Sequence, residues 1–343
     1  MGARHRESLA AHGRKTERKR LMNRWKATLA AIASCILVGS AWAQQPYPTR
    51  TIKLIVPFAA GGSTDIIARL TAEQMRKVLG QTVIVENVGG AAGALGTAQG
   101  AAAAPDGYTL TVATVSSMIV HAATRSRPQY TLESFAPITN IASMPNVLTV
   151  SASFPAKNLT EFIKILKENP GKYTFASSGI GSINHMLGES FQSEAGVKMV
   201  HVPYKGSGPA MQDVMGGQVN SLFDQFPSSK PYIDGGKLKA IGVISPQRIP
   251  GYDVMTMEEA GMKGFTDEAW YGLLAPAKVP PEVMAKLSET MKKVMASPEF
   301  RAQIEKVGAR PVGNSPAEFT AQVRNEIARM KRLVQERQIK LDE

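Results

Sequence analysis

Two short stretches place glycines and hydroxyls where a helix begins. P-F-A-A-G-G-S-T-D (57–65) follows the apolar run I-K-L-I-V, and a 3.6-residue apolar periodicity starts at Ile66. F-A-S-S-G-I-G-S-I-N-H (175–185) repeats the device further along the chain. Strand, small loop and helix is the expected order at both places. Such a loop leaves backbone N–H groups free at a helix N-terminus, which is a site for an anion. The residues concerned are Phe58, Ala60, Gly61, Gly62 and Ser63 in the first loop, and Ser178, Gly179, Gly181 and Ser182 in the second. Ser63 and Ser182 stand where N-caps stand, and Asp65 falls in a first turn. Neither loop carries a lysine, so neither is the phosphate loop G-x-x-x-x-G-K-[ST].

Further candidates lie in two similar loops and beside them. T-V-S-S-M (114–118) supplies Ser116, and P-Y-K-G-S-G-P (203–209) supplies Tyr204. His185 sits in the first turn after the second loop. Asp224 follows the strand S-L-F and is the one carboxylate expected at a cleft. Gly-Ser turns before helices are ordinary connectors in α/β folds, so it is the repetition that singles these out.

Hydrolytic chemistry finds little support. There is no G-x-S-x-G elbow and no H-E-x-x-H. The histidines after the N-terminal segment are His121, His185 and His201, with no metal-ligand spacing among them. His201 alternates with Val200 and Val202 and reads as a strand residue. No second acid accompanies Asp224 for general acid–base work. The glycines after Gly90 are spaced G-x-x-G-x-x-G, which is not the dinucleotide fingerprint. No cofactor and no metal is expected.

The elements that must position these loops alternate along the chain. T-I-K-L-I-V-P-F, T-V-I-V-E-N and Y-T-L-T-V-A-T read as strands separated by helices, which implies a parallel sheet covered on both faces. From Asn146 the pattern restarts with V-L-T-V-S-A, and a capping box opens a helix at Asn158 and Glu161. After Y-G-L-L-A-P (271–276) the chain reads as wholly helical. Val283, Leu287, Met291, Val294 and Met295 form one apolar stripe. Phe319, Val323, Ile327, Met330 and Val334 form another. The expected architecture is α/β with two lobes, the helical tail packing on the first. Ligands in such sheets sit beyond the carboxyl ends of the strands, so two facing lobes would present two helix N-termini to one cleft.

The first forty-three residues stand apart. Arg24 and Lys26 precede the apolar run Ala27 to Ala43, which ends A-W-A before Gln44. That is the pattern of a secretory signal peptide. Initiation at Met22 would give it an ordinary length. The run of seventeen residues is rich in Ala and marginal as a span, an uncleaved anchor being the alternative, and it continues past Cys35, against lipoprotein processing there. The whole chain has a net charge of +12. The segment 1–43 carries nine Lys/Arg and two Asp/Glu, leaving +5 for the rest. That mild balance suits an anionic ligand and suggests no nucleic-acid stripe. Cys35 is the only cysteine, so the remainder holds no disulfide and depends on its core.

Taken together, Y-P-T-R-T-I-K-L-I-V-P-F-A-A-G-G-S-T-D, A-A-P-D-G-Y-T-L, H-V-P-Y-K-G-S-G-P-A, G-G-Q-V and W-Y-G-L-L-A-P resemble the Bug/TctC family from about Tyr47 onward. These are the extracytoplasmic solute receptors of tripartite tricarboxylate transporters. The resemblance implies a two-lobe, type II periplasmic-binding-protein fold with a ligand cleft between the lobes. It implies a small carboxylate ligand held by backbone amides and hydroxyls of the two loops, Ala60–Ser63 and Ser177–Ser182. It also implies a periplasmic monomer whose partners are membrane transporter subunits; a ligand sensor for a signalling partner is the alternative. The expected boundaries are 1–43 for the signal peptide, 45–144 plus 273–343 for the first lobe, and 145–272 for the second. Three positions depart from the family pattern. Ala60 replaces a usual proline, N-V-G-G-A-A-G replaces N-R-P-G-A-G-G, and His121 stands where asparagine is common. The intact mass of the exported protein should correspond to a chain starting at Gln44; a product that retains Cys35 would overturn the cleavage site.

Overall fold

The computed structural model describes residues 47–336. The signal peptide, the start at Met22 and Cys35 lie outside the described residues. The chain opens with β1 (Ile52–Val56), α1 (Ser63–Leu79), β2 (Val83–Asn87), α2 (Ala94–Ala101) and β3 (Thr109–Thr114). A π-helical turn, Val115–Val120, then runs into α3 (His121–Thr124). β4 (Phe135–Ser151) is followed by α4 (Leu159–Glu168), β5 (Thr174–Ser177), α5 (Ile183–Ala195), β6 (Val200–Pro203) and α6 (Ser207–Met215). Next come β7 (Ser221–Gln225), α7 (Phe226–Asp234), β8 (Leu238–Ile244) and β9 (Glu268–Pro276). The chain closes with α8 (Pro281–Ala296), α9 (Pro298–Lys306), β10 (Arg310–Pro311) and α10 (Pro316–Glu336).

The strands form two sheets that share β4. In the first, the order is β2-β1-β3-β9-β4, with β10 also on β4. β1, β2 and β3 are parallel, while β9 runs antiparallel to both neighbours. In the second sheet β4 lies between β7 and β8, antiparallel to each, and β5 lies parallel to β7 and β6. The sheets are therefore mixed where wholly parallel ones were expected. β4 is also one 17-residue strand, where the expectation had a strand only from Asn146.

Pairing defines two halves. β4 pairs with β9 as far as Pro145, opposite Glu268, and with β7 and β8 from Asn146 onward. The chain thus crosses between Pro145 and Asn146. It returns before Glu268, because Glu268–Gly272 pair inside the first sheet.

Each half has an apolar core. Leu54, Val56, Ile67, Met75, Leu110 and Leu273 pack with Leu287, Met291, Val294, Phe300 and Ile304 of α8 and α9. The α8 stripe read from sequence is the buried face. Phe162, Phe175, Phe191 and Phe223 fill the second half. Phe319, Val323 and Met330 of α10 join that larger cluster through Trp270 and Tyr130. The Trp270 indole also donates to Glu326 at 2.7 Å. One position shows how tightly α10 is seated. A Cβ at Gly272 on β9 would lie 2.1 Å from Cζ of the fully buried Phe319. The variant G272A should therefore lose about 1–3 kcal/mol of stability, the range for overpacking. Urea unfolding checks this, and an unchanged midpoint would show that α10 shifts freely on β9.

Candidate functional site

Four helices of eight residues or more begin at one place between the halves. α1 starts at Ser63, α5 at Ile183, α6 at Ser207 and α7 at Phe226. Their first residues line a common cavity: Gly62, Ser63 and Thr64; Ile183 and Asn184; Ser207; and Gln225, the N-cap of α7. Phe58, Thr114, Val115, Ser116, Ser178, Ala269 and Tyr271 complete the wall. The void is narrow, about 20 Å³, on the scale of one or two waters. No Lys or Arg lines this cavity. What it offers an anion is the N–H groups of the first helical turns, which have no partner within their own helices.

The loops meet across the cavity through direct bonds. Ala59 N–H donates to the Lys205 carbonyl at 3.1 Å. The Ile183 N–H donates to Ser116 Oγ at 3.0 Å, so a first-half hydroxyl serves a second-half helix. Ser63 Oγ accepts from Ser228 N–H at 2.9 Å and lies 2.7 Å from Ser228 Oγ. The Tyr271 hydroxyl donates to Gln225 Oε1 at 3.2 Å, and Gln225 Nε2 donates to Asn146 at 3.0 Å. Burial pushes the Tyr271 hydroxyl far above its usual pKa, so it stays a donor.

The first loop is braced from below. The Asp65 carboxylate accepts from Gly61 N–H at 3.1 Å, Arg69 Nε at 3.0 Å and Asn87 Nδ2 at 3.0 Å. Burial works against its charge, but these partners outweigh that and hold its pKa below the usual range. In the second loop Ser178 Oγ donates to Asn184 Oδ1 at 2.6 Å, and Asn184 Nδ2 donates to the Phe223 carbonyl at 2.7 Å.

Of the residues singled out from sequence, Phe58, Gly62, Ser63, Ser116 and Ser178 line the inner cavity. Ser182 caps α5 by accepting from His185 N–H at 3.2 Å. Ser63 does not cap α1. The N-cap is Gly62, and Ser63 instead bonds across to α7. Ala60 and Gly61 sit at the exposed rim. Gly179 and Tyr204 line an outer chamber. Gly181 donates to His185 Nδ1 at 3.2 Å, so His185 is placed behind the loop and off the cavity wall. Its ring stacks on His201 at 4.0 Å. Burial, then repulsion from His185, depresses the His201 pKa to about 4, and His201 bonds Ser177 at 2.7 Å. Asp224 is fully buried beneath the floor rather than at the cleft surface. It accepts from Ser228 and Ser229, and Tyr204 donates to Asp213 rather than to Asp224. His121 stacks on Tyr130 at 4.4 Å, away from the cavity. Among the described residues no cluster of His, Cys, Asp or Glu could hold a metal. Asn184, Gln225 and Tyr271 were not foreseen. Only their place just after loop and strand ends hinted at them.

A model of the tripartite tricarboxylate transporter family receptor, TctC, matches residues 67–339. The chain belongs to that family. Among solved structures it is similar to the periplasmic binding protein BugD, at 36% identity and a TM-score of 0.83 over 86% of this chain and 99% of that one. It is also similar to a Rhodopseudomonas palustris protein determined with adipate, at 31% identity and 0.79 over 84% and 97%. A third is MatC of the same organism with bound malate, at 34% and 0.79 over 84% and 100%. The two-half α/β architecture is thus that of periplasmic solute-binding proteins. The family match begins inside α1, after the first loop, so the receptor's first loop stands on its geometry.

Glycine is what lets the loops touch. A Cβ at Gly206, whose backbone is extended, would lie 2.8 Å from Ala59 N and 3.2 Å from Ala59 Cβ. The variant G206V should therefore fold normally but hold the halves apart. Amide exchange over residues 57–62 should rise, and the radius of gyration should grow. Unchanged exchange would show that this seam does not depend on Gly206.

Proposed function

We propose that this receptor is a periplasmic solute-binding protein that captures a small carboxylate between two lobes. It would then deliver the acid to a membrane transporter of the tripartite tricarboxylate type. The lobes would be residues 47–145 with 268–336, and 146–267. The observation that carries the reading is the convergence of four helix N-termini on one cation-free cavity. The adipate and malate of the related structures support the same chemistry.

The magnitudes are sufficient. Each helix N-terminus contributes roughly 0.3–1 kcal/mol to a nearby anion, up to about 2 when partly buried. Hydrogen bonds to a charged group add on the order of 1.5–3 kcal/mol each. Ordering the loops and desolvating the ligand take back several. A net of roughly 8 kcal/mol corresponds to a micromolar Kd. Contacts from both lobes form together only on closure, so the ligand favours the closed state.

The reading is of a binding protein and not an enzyme. Its family is one of receptors. The His185–His201 pair is turned away behind the second loop, and among the described residues the side chains bonded to Asp224 are serine hydroxyls. A thermal-shift screen of small mono- and dicarboxylates, malate and adipate included, should give stabilisation by at least one acid, recovered unchanged by mass spectrometry. Ser63→Ala removes bonds that cross the cleft and should weaken that acid by about 1–2 kcal/mol in calorimetry. No stabilisation by any acid, or turnover of one, would overturn the reading.

A further inference from the structure

Outside the seam the two halves enclose a second, open chamber of about 640 Å³. Ala91 and Ala92 of the first half and Ile180, Pro203 and Pro209 of the second give it apolar walls. Two cations line it, Arg125 from the first half and Lys205 from the second. Among the described residues neither lies within ion-pair distance of a carboxylate. Asp213, at the back of this wall, is engaged by the Tyr204 hydroxyl. The inner cavity and the outer chamber therefore divide the electrostatics: dipoles within, net charge at the mouth.

That division has a kinetic meaning. The field of a helix terminus fades within a turn and acts only on an anion already in place. A full charge at the rim reaches about one Debye length, 8–10 Å, into solvent. We infer that Arg125 and Lys205 form an encounter site for dicarboxylates, drawing the anion to the mouth before the lobes close on one of its carboxylates. The inference rests on the carboxylate-receptor reading. The Ala59–Lys205 backbone bond and the approach of Gly179 to Ala92 are made by residues that line the outer chamber and not the inner cavity. The pair therefore acts on association and not on the closed complex. The apolar walls favour a dicarboxylate with a hydrocarbon spacer, such as adipate, over a heavily hydroxylated acid.

The test uses the parent protein and the variants R125Q, K205Q and the double variant, with adipate and malate as probes. Association and dissociation rates are followed by stopped-flow fluorescence at about 0.02 M and about 0.5 M ionic strength, bracketing strong and weak screening. At the lower salt the double variant should bind about tenfold more slowly, within the range for electrostatic steering, with its dissociation rate unchanged. At the higher salt its association rate should approach that of the parent. An unchanged association rate overturns the encounter site. A loss that persists at high salt or appears in dissociation also overturns it, because it marks a holding contact. If neither acid binds the parent, the carboxylate reading for these probes fails, and the encounter site falls with it.

Discussion

The hydrogen bond from Ala59 N–H to the Lys205 carbonyl holds the rest of the site in register. It joins backbone to backbone across two halves of the molecule, so both segments must approach without side chains between them. Gly206 provides that room on one side, as does Gly208, whose Cβ would lie 2.1 Å from the Ala60 carbonyl oxygen. Once the loops touch, α1 and α6 begin within reach of the same space, and Gly62 packs on Ser207. Four positive helix ends then share one cavity, an arrangement that is unfavourable when empty and favourable around an anion. The close backbone approach and the affinity for negative charge are thus two consequences of the same glycine-rich contact.

The cavity floor is wired to the place where the chain crosses between halves. Tyr271 bonds Gln225, Gln225 bonds Asn146, and Asn146 Nδ2 donates to the Asp267 carbonyl at 2.8 Å. Asn146 and Asp267 flank the two crossings defined by the Pro145–Glu268 pair. Every member of this path except Asp267 is nearly or fully buried, and each bond directs the next. Three hydrogen bonds therefore join the cavity floor to the segments that pass between the halves.

Much of this was legible because the signals were local. A strand ending at Val56, a glycine loop and a helical periodicity lie within one stretch of chain, and the loop after Ser177 repeats them. Ser182 was readable as a cap for the same reason. Ser63 was misread by one position, since Gly62 supplies the extended N-cap backbone and frees Ser63 for a partner in α7. That partner is 165 residues away, beyond what spacing can show. Asn184, Gln225 and Tyr271 were hidden likewise, because only tertiary packing turns them inward. The first half of β4 was not read as a strand, and two prolines, Pro137 and Pro145, lie in it. The strand tolerates Pro137 through irregular pairing with β9 between Pro137 and Thr139. The mixed sheet followed from the same oversight, since β4 and β9 are the antiparallel members.

Asp224 shows how a site without a cation can still receive an anion. Its carboxyl lies under Gln225 and Ser63, joined to them through Ser228, and would repel any ligand carboxylate if it were charged. Burial pushes its pKa upward, against the pull of the surrounding hydroxyls. Its Oδ1 has no hydrogen-bond partner among the described residues, a position much costlier for an ionised oxygen than for a neutral one. An anion arriving above raises that cost further and favours the protonated form. Serine hydroxyls join that carboxyl to the floor above it, and the helix ends are what the cavity offers an anion.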